Sequence, residues 1–175
     1  MKKIAIVLSF RDFQDIEYFI PKAVFKRAGV SISNVSSEKG TAFGVDGGEV
    51  KIDFEVLNFD ISLFDAAVFV GGPGMGEKLE DKYFQDIARE ALEKDKVLGA
   101  ICIAPVLLAK AGVLAGKKAT VWSSPLDKFP VRILEKEGAF YQKEGVVTDG
   151  KIITAAGPPF AAQFAEEVLR VLTSN

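Results

Sequence analysis

The residue best suited to covalent chemistry is Cys102, the single cysteine among 175 residues. The apolar run Val97–Ile101 leads directly into it and predicts a buried parallel strand. Pro105 suits the first turn of a helix on the far side, because proline has no N–H to lose there. We therefore expect Cys102 on a sharp strand-to-helix turn, where free backbone N–H groups favour a thiolate over a thiol. A lone cysteine that only fills space in the core has the same residue type, so both interpretations stay open.

The absence of histidine limits the chemistry that this chain can support. Without an imidazole, neither a Cys–His nor a Ser–His catalytic pair can form from its own residues. With one cysteine and no histidine a zinc site is not expected, and we predict no metal and no cofactor. Proton transfer beside the thiol must then come from a carboxylate, a tyrosine, a lysine, the backbone or water.

Glu17 is the candidate for this proton transfer, and its position depends on the first predicted helix. That helix runs from an Asp15 cap to about Arg27 and ends before Gly29. Its phase groups apolar residues on one stripe, which predicts the face that packs on the sheet: Ile16, Phe19, Ile20, Ala23 and Val24. Glu17 falls at the edge of this stripe, either as a half-buried carboxylate or as an acid that only complements the helix dipole.

A second set of backbone donors is predicted where another buried strand ends. The segment 65–70 predicts that strand, and it leads into the glycine cluster Gly71-Gly72-Pro73-Gly74. The glycine spacing is not that of a dinucleotide-binding fingerprint. N–H groups at the carboxyl end of a strand can hold an oxyanion or an anionic ligand, although an ordinary tight turn uses the same residues.

The order of the predicted elements indicates an α/β fold. Strands alternate with amphipathic helices, as in a parallel sheet with helices on both faces. The segment 41–52 predicts a small hairpin extension beside the main sheet, and Asp149-Gly150 predicts a second hairpin turn. Ligands of such sheets bind beyond the carboxyl ends of the strands, where Cys102 and Gly71-Gly72 both fall.

Length and composition agree with one globular domain over residues 1–175. The chain is 49% hydrophobic and 26% charged, and its net charge of -2 without a basic run gives no reason to expect a nucleic-acid partner. No apolar stretch approaches about 18 residues, so no membrane span is expected. A single cysteine suits a reducing compartment, and we expect a cytoplasmic protein.

Five separated motifs, in order along the chain, resemble the ThiJ/PfpI superfamily and, within it, the Parkinsonism-associated deglycase branch. They are Glu17-Tyr18-Phe19-Ile20-Pro21, Lys26-Arg27-Ala28-Gly29, Gly71-Gly72-Pro73-Gly74, Ala100-Ile101-Cys102 and Gly157-Pro158. The resemblance spans nearly the whole chain. It implies a flavodoxin-like single domain that forms a homodimer.

The resemblance also implies roles for the residues already singled out. Cys102 would be the nucleophile, and Glu17 would be a protonated carboxyl that donates a hydrogen bond to its thiolate. The backbone N–H groups of Gly72 and Ile103 would form an oxyanion site.

Further positions around this pair match the family pattern, and two others depart from it. Arg27 and the Gly157-Pro158 loop match positions that line the pocket or the dimer contact. The protease-like branch has a histidine directly after the cysteine, where this chain has Ile103. The deglycase branch has a histidine after the next strand, replaced here near Trp122, which is expected to be an apolar pocket wall or part of the core.

Together these residues predict addition of the Cys102 thiolate to an electrophilic carbon, with one carboxylic acid moving the proton. A 2-oxoaldehyde such as methylglyoxal, hydrated to a hydroxy acid as in glyoxalase III or deglycase chemistry, fits these groups. The competing hypothesis is a redox sensor or stress-protective, chaperone-like protein whose Cys102 oxidises to sulfinic acid. Peptidase activity is disfavoured, because an amine leaving group needs a proton donor that Glu17 alone supplies poorly.

Overall fold

The computed structural model describes residues 1–174 and is built on a seven-stranded sheet. In chain order the strands of the protein are β1 (Lys3–Val7), β2 (Arg11–Phe13), β3 (Ser31–Ser36), β4 (Gly40–Gly44), β5 (Glu49–Ile52), β6 (Phe54–Glu55), β7 (Ala66–Phe69), β8 (Val97–Ile101), β9 (Lys118–Ala119), β10 (Phe140–Tyr141), β11 (Val146–Asp149) and β12 (Ile152–Ala155). The main sheet has the order β11-β12-β8-β7-β1-β3-β6, and only the β11–β12 pair is antiparallel.

Helices cover both faces of this sheet. They are α1 (Asp15–Arg27), α2 (Pro73–Gly76), α3 (Lys82–Glu93), α4 (Ala104–Lys110), α5 (Phe129–Lys136) and α6 (Ala161–Thr173). Alternate residues of β1 enter two separate cores, because successive side chains of a strand point to opposite faces. Ile4 and Ile6 pack with α1 and α6, whereas Ala5 and Val7 pack with α3 and α4. This arrangement confirms the predicted α/β fold with a mostly parallel sheet between helices.

The predicted extension beside the main sheet is also present. Strands β4 and β5 form an antiparallel hairpin, and β2 pairs with β4 to complete a small three-stranded sheet. The segment 55–63 contains the end of β6 and two short 3-10 turns, Val56–Asn58 and Ile61–Leu63. Within residues 1–174, no helix is both long and apolar enough to cross a membrane.

Helix α1 differs from its prediction in both its cap and its buried face. The cap is Gln14, whose side chain accepts a hydrogen bond from the Ile16 N–H, and Asp15 is the first helical residue. The predicted stripe is mostly exposed: Ile16 is 44%, Phe19 39% and Ile20 39% accessible. The face that packs on the protein consists instead of Asp15, Glu17, Tyr18, Pro21, Val24 and Phe25. The helix is therefore rotated to bury a carboxylate and leave its most apolar face outside.

Candidate active site

Cys102 lies on a strained turn between β8 and α4. Its φ of 64° is in the left-handed region, which residues other than glycine rarely occupy. Its N–H donates to the Ala155 carbonyl at 2.9 Å, and its carbonyl accepts from the Trp122 N–H at 2.9 Å. Because both peptide groups are fixed, the half-buried sulfur is held at the carboxyl end of the sheet. The predicted strand-to-helix turn is present.

Glu17 reaches this turn from the first turn of α1 and is fully buried rather than half-buried. Its Oε2 accepts a hydrogen bond from the Gly71 N–H at 2.8 Å. Its Oε1 is buried and has no hydrogen-bond partner within residues 1–174. A buried oxygen without a partner is costly as a charged acceptor, so Oε1 is the atom on which a proton is best accommodated.

The carboxyl of Glu17 and the thiol of Cys102 lie close enough for each to change the other's pKa. Burial raises the pKa of Glu17 to about 7, while the Cys102 thiol and the Gly71 N–H act in the opposite direction. Burial also raises the pKa of the Cys102 thiol, and a charged Glu17 raises it further. Backbone N–H groups at the turn do lower the pKa of the thiol, but burial outweighs them, so the expected shift toward the thiolate is wrong for the pair with Glu17 charged. A proton held on Glu17 removes the charge that opposes the thiolate, so the two groups titrate as a pair.

Two backbone N–H groups are directed at the sulfur. They belong to Ile103 and Gly72, and both lower the pKa of Cys102. These are the two donors that the resemblance implied for an oxyanion site. The N–H of Gly71 is not available for a ligand, since it already donates to Glu17. The expectation that Gly71 itself binds an anion is therefore wrong.

Both glycines allow the turn to approach the pair closely. A Cβ on Gly71 would lie 2.5 Å from Glu17 Oε2 and 2.6 Å from Cys102 Cβ. Gly72 has a φ of 109°, and a Cβ there would lie 2.5 Å from the Gln14 backbone nitrogen. Any larger residue at either position would push the donors away from the sulfur.

The pair opens into a cavity of about 340 Å³, which is within the range of small-molecule sites. Its lining residues are Gln14, Glu17, Gly72, Pro73, Gly76, Cys102, Ile103, Trp122 and Pro158. Trp122 is thus a wall of this cavity and is 36% exposed, so it is not a core residue. Among the described residues, no three Cys, Asp or Glu side chains are grouped so that they could hold a metal ion.

The remaining predicted positions divide into two groups. Pro158 lines the cavity, and a Cβ on the adjacent Gly157 would lie 3.7 Å from Trp122 Cδ1. Arg27 is exposed in the last turn of α1, about 15 Å along the helix from Glu17. Arg27 is not among the residues that line this cavity, and its role in a dimer contact stays a prediction.

Sequence reasoning missed Gln14 as a cavity residue. Its side chain lines the cavity while it also caps α1. The available signal was its position three residues before Glu17, one helical turn away on the same side. Assigning the cap to Asp15 concealed that signal.

The chain is similar to known proteins over nearly its whole length. The model of the DJ-1/PfpI family matches residues 2–171. General stress protein 18 of Bacillus subtilis is 34% identical over 175 residues, which cover 98% of this chain and 98% of the relative. Deglycase PfpI of Pyrococcus furiosus is 28% identical over 167 residues, covering 95% and 98% respectively.

Solved structures agree with the observed architecture. The ThiJ/PfpI domain protein from Brachyspira murdochii superposes with a TM-score of 0.93 at 34% identity, covering 99% of this chain and 97% of that one. Drosophila melanogaster DJ-1beta superposes with a TM-score of 0.84 at 27% identity, covering 100% and 92%. The chain therefore belongs to the DJ-1/PfpI family and has its flavodoxin-like α/β fold.

Proposed function

We propose that this protein hydrates small 2-oxoaldehydes such as methylglyoxal to 2-hydroxy acids through Cys102 and Glu17. One observation carries the proposal: a fully buried carboxyl with a pKa of about 7 lies beside the nucleophile, with one oxygen unpaired. A general acid is most effective when its pKa is near the working pH. Similarity to proteins named deglycases supports a reactive carbonyl compound as the substrate class.

The first step is addition of the sulfur to the aldehyde carbon. The Cys102 thiolate forms the C–S bond, and the electron pair of the C=O bond moves to oxygen. The N–H groups of Gly72 and Ile103 stabilise the negative charge on that oxygen. Glu17 then delivers its proton from Oε1, so the product is a neutral thiohemiacetal and a carboxylate.

The second step moves hydrogen between the two substrate carbons. The Glu17 carboxylate removes the proton from the first carbon, and a proton is returned to the second through an enediol. The result is a thioester of the hydroxy acid on Cys102. Water cleaves the C–S bond, the thiol regains its proton, and the net reaction adds one water without an oxidant or a reductant.

Lactate formation from methylglyoxal by the purified protein tests this proposal. We expect Cys102→Ser and Glu17→Gln to lower the rate by roughly 100-fold or more. Glu166→Gln makes the same change at an exposed position of α6 and is expected to behave as the unmodified protein. Lactate that appears no faster than in buffer, or at the same rate with Cys102→Ser, would refute the enzymatic function.

The same site also supports a second candidate, a redox sensor. Cys102 is half-buried, two N–H groups face its sulfur, and Glu17 can hydrogen-bond an oxidised form. Similarity to a protein named a general stress protein agrees with such a role. Treatment with mild peroxide followed by intact-mass measurement would then give a stable gain of two oxygen atoms, which Cys102→Ser would not give. A thiol that resists oxidation while a free thiol in the same tube reacts would exclude this candidate.

We further propose that the protein is a homodimer held through the exposed face of α1. Ile16, Phe19 and Ile20 form an apolar surface there. The β4–β5 hairpin, whose turn contacts α1 through Asp15, also exposes Phe43 and Val45, by 39% and 41%. An exposed apolar surface of this kind is typical of a protein contact.

A further inference from the structure

We propose that Gln14 determines substrate specificity: its side-chain amide donates a hydrogen bond to the carbonyl oxygen next to the carbon that Cys102 attacks. The inference rests on the proposed function, because it assumes a substrate with two adjacent carbonyl groups. It assigns Gln14 direct contact with the substrate, in addition to its place at the start of α1.

The protein itself fixes the orientation of the Gln14 amide. The side-chain Oε1 accepts a hydrogen bond from the Ile16 N–H at 3.4 Å. A backbone N–H can only donate, so the amide oxygen must face the helix and Nε2 must face away from it. The backbone is held as well, because the Gln14 N–H donates to the Gly71 carbonyl at 3.1 Å. Gln14 is therefore tied to the same turn that places the Gly72 donor.

The Gln14 Nε2 group can donate two hydrogen bonds, and neither is made within the described residues. No group within residues 1–174 accepts a hydrogen bond from Nε2. Nor is Nε2 a buried atom left without a partner, so it remains accessible to a ligand. Since Gln14 lines the cavity of Cys102 and its backbone N–H is already used by Gly71, the side-chain amide is the donor that Gln14 can offer a bound molecule.

A dicarbonyl substrate needs such a donor. Its first oxygen is served by Gly72, Ile103 and Glu17, as in the addition step. Its second oxygen would otherwise lie against apolar walls such as Pro73 and Pro158 and would lose its hydrogen bonds to water. With no histidine in the chain, the neutral side-chain N–H donors among the lining residues are the Gln14 amide and the Trp122 indole. We assign the second oxygen to the Gln14 amide, because its oxygen end is held at the start of α1.

The expected consequence is preference for 2-oxoaldehydes over simple aldehydes. A site built to donate a hydrogen bond discriminates against an analogue that lacks the acceptor. The same bond strengthens as negative charge develops on the second oxygen in the enediol step, so it also favours turnover.

Protection of Cys102 from iodoacetamide measures this preference without requiring turnover. Methylglyoxal and propanal each protect the thiol as a reversible thiohemiacetal, and the concentration dependence gives an apparent dissociation constant for each. The ratio of the two constants is the readout, because any change in thiol reactivity affects both aldehydes alike. Gln14→Met keeps the side-chain length but has no donor, and we expect it to weaken methylglyoxal binding roughly tenfold relative to propanal.

Three further variants make the test specific. Gln14→Glu retains an oxygen for the Ile16 N–H, so it should preserve the helix cap and still reduce the ratio. Gln163→Met makes the matched change on the exposed face of α6 and should leave the ratio unaltered. Trp122→Phe keeps an aromatic wall but removes the indole N–H, and it should also leave the ratio unaltered.

The outcomes separate this inference from the proposed function. An unchanged ratio in Gln14→Met, or a ratio lost in Trp122→Phe instead, overturns the role of Gln14 even if lactate forms. A ratio that depends on Gln14 in a protein that forms no lactate supports the recognition role and refutes the catalytic proposal alone. A wild-type protein in which neither aldehyde protects Cys102 overturns both.

Discussion

The acid role proposed for Glu17 rests on the different surroundings of its two carboxyl oxygens. Oε2 is satisfied by the Gly71 N–H, whereas Oε1 is buried without a partner. Burial then favours the neutral carboxyl, which brings the pKa of Glu17 to about 7. In the proposed reaction this one side chain would supply, near neutral pH, the proton that an imidazole supplies in Cys–His pairs.

The raised pKa of Glu17 also makes stability depend on pH. The reference pKa of the side chain is 4.5 and the folded-state pKa is about 7, so between these values the folded protein binds more protons than the unfolded chain. The free energy of unfolding should therefore fall as the pH rises through this window, by up to about 3 kcal/mol from this group. Glu17→Gln should lack this contribution.

Urea unfolding of both proteins at several pH values measures the effect. The stability of Glu17→Gln relative to wild type should increase between about pH 4.5 and 7 and then level off. A difference between the two proteins that is constant across this window would contradict a proton-bearing Glu17.

At the level of residues, the sequence placed Cys102 and offered Glu17 as its neighbour, but it did not predict their surroundings. Cys102 was placed by the buried strand that ends at it, and Glu17 by its position in the first turn of α1, at the edge of the apolar stripe. The engagement of Gly71 with Glu17 depends on a contact between residues 54 positions apart, which no local pattern contains. The donor role of Gln14 was hidden for the same reason, since it requires knowing where Nε2 points.

At the level of elements, Asp15 connects the helix that carries Glu17 to the small sheet. Its two carboxylate oxygens accept hydrogen bonds from the N–H groups of Asp46, at 2.9 Å, and Gly48, at 2.7 Å. These contacts hold the turn of the β4–β5 hairpin against α1. Asp15, which was expected to cap the helix, instead connects α1 to the turn of the hairpin.

Replacing Asp15 should therefore loosen the hairpin. Asp15→Ala removes both acceptors and leaves two N–H groups without partners, which is expected to lower the free energy of unfolding by about 1 to 3 kcal/mol. Asp15→Asn keeps one acceptor and should cost less. Urea denaturation measures the free energy of unfolding of both variants. Equal stability of Asp15→Ala and wild type would show that the contacts of Asp15 with the hairpin turn do not stabilise the fold.

Hydrophobic periodicity predicted the wrong buried face for helix α1. Helical phase assigns Ile16, Phe19 and Ile20 to the core, yet Glu17 and Tyr18 are the buried residues. Both polar groups have partners within the protein, Gly71 for the carboxylate and Asn34 for the Tyr18 hydroxyl at 2.8 Å. Tertiary hydrogen bonds of this kind decide which face is buried, and the hydrophobic stripe alone does not reveal them.

At the scale of the whole molecule, the architecture follows directly from the sequence. Short apolar runs such as 4–7, 66–69 and 97–101 are buried on both faces, as required of central parallel strands. Their alternation with helices restricts the topology, because parallel connections are right-handed and helices must cover both faces. The β4–β5 hairpin and the antiparallel edge strand were predicted from their turn residues, whereas β2 was not. The oligomeric state could not be predicted from the residue patterns.

The exposed face of α1 gives a test of that assembly. Ile20→Glu places a charge in the proposed dimer contact, whereas Leu126→Glu makes a similar change at a fully exposed leucine elsewhere. We expect the wild type and Leu126→Glu to sediment at twice the chain mass of 18.9 kDa, and Ile20→Glu to shift toward the single chain. A wild-type protein that sediments as a single chain would refute the dimer.

The pH profile of Cys102 alkylation tests the coupled titration of Glu17 and Cys102 most directly. Iodoacetamide reacts with the thiolate, so its rate over about pH 5 to 9 follows the ionisation of the pair. For the wild type we predict a rate that rises with pH through an inflection near the Glu17 pKa of about 7, and for Glu17→Gln a profile without that inflection. Identical profiles for the two proteins would contradict the central claim that Glu17 and Cys102 titrate as a pair.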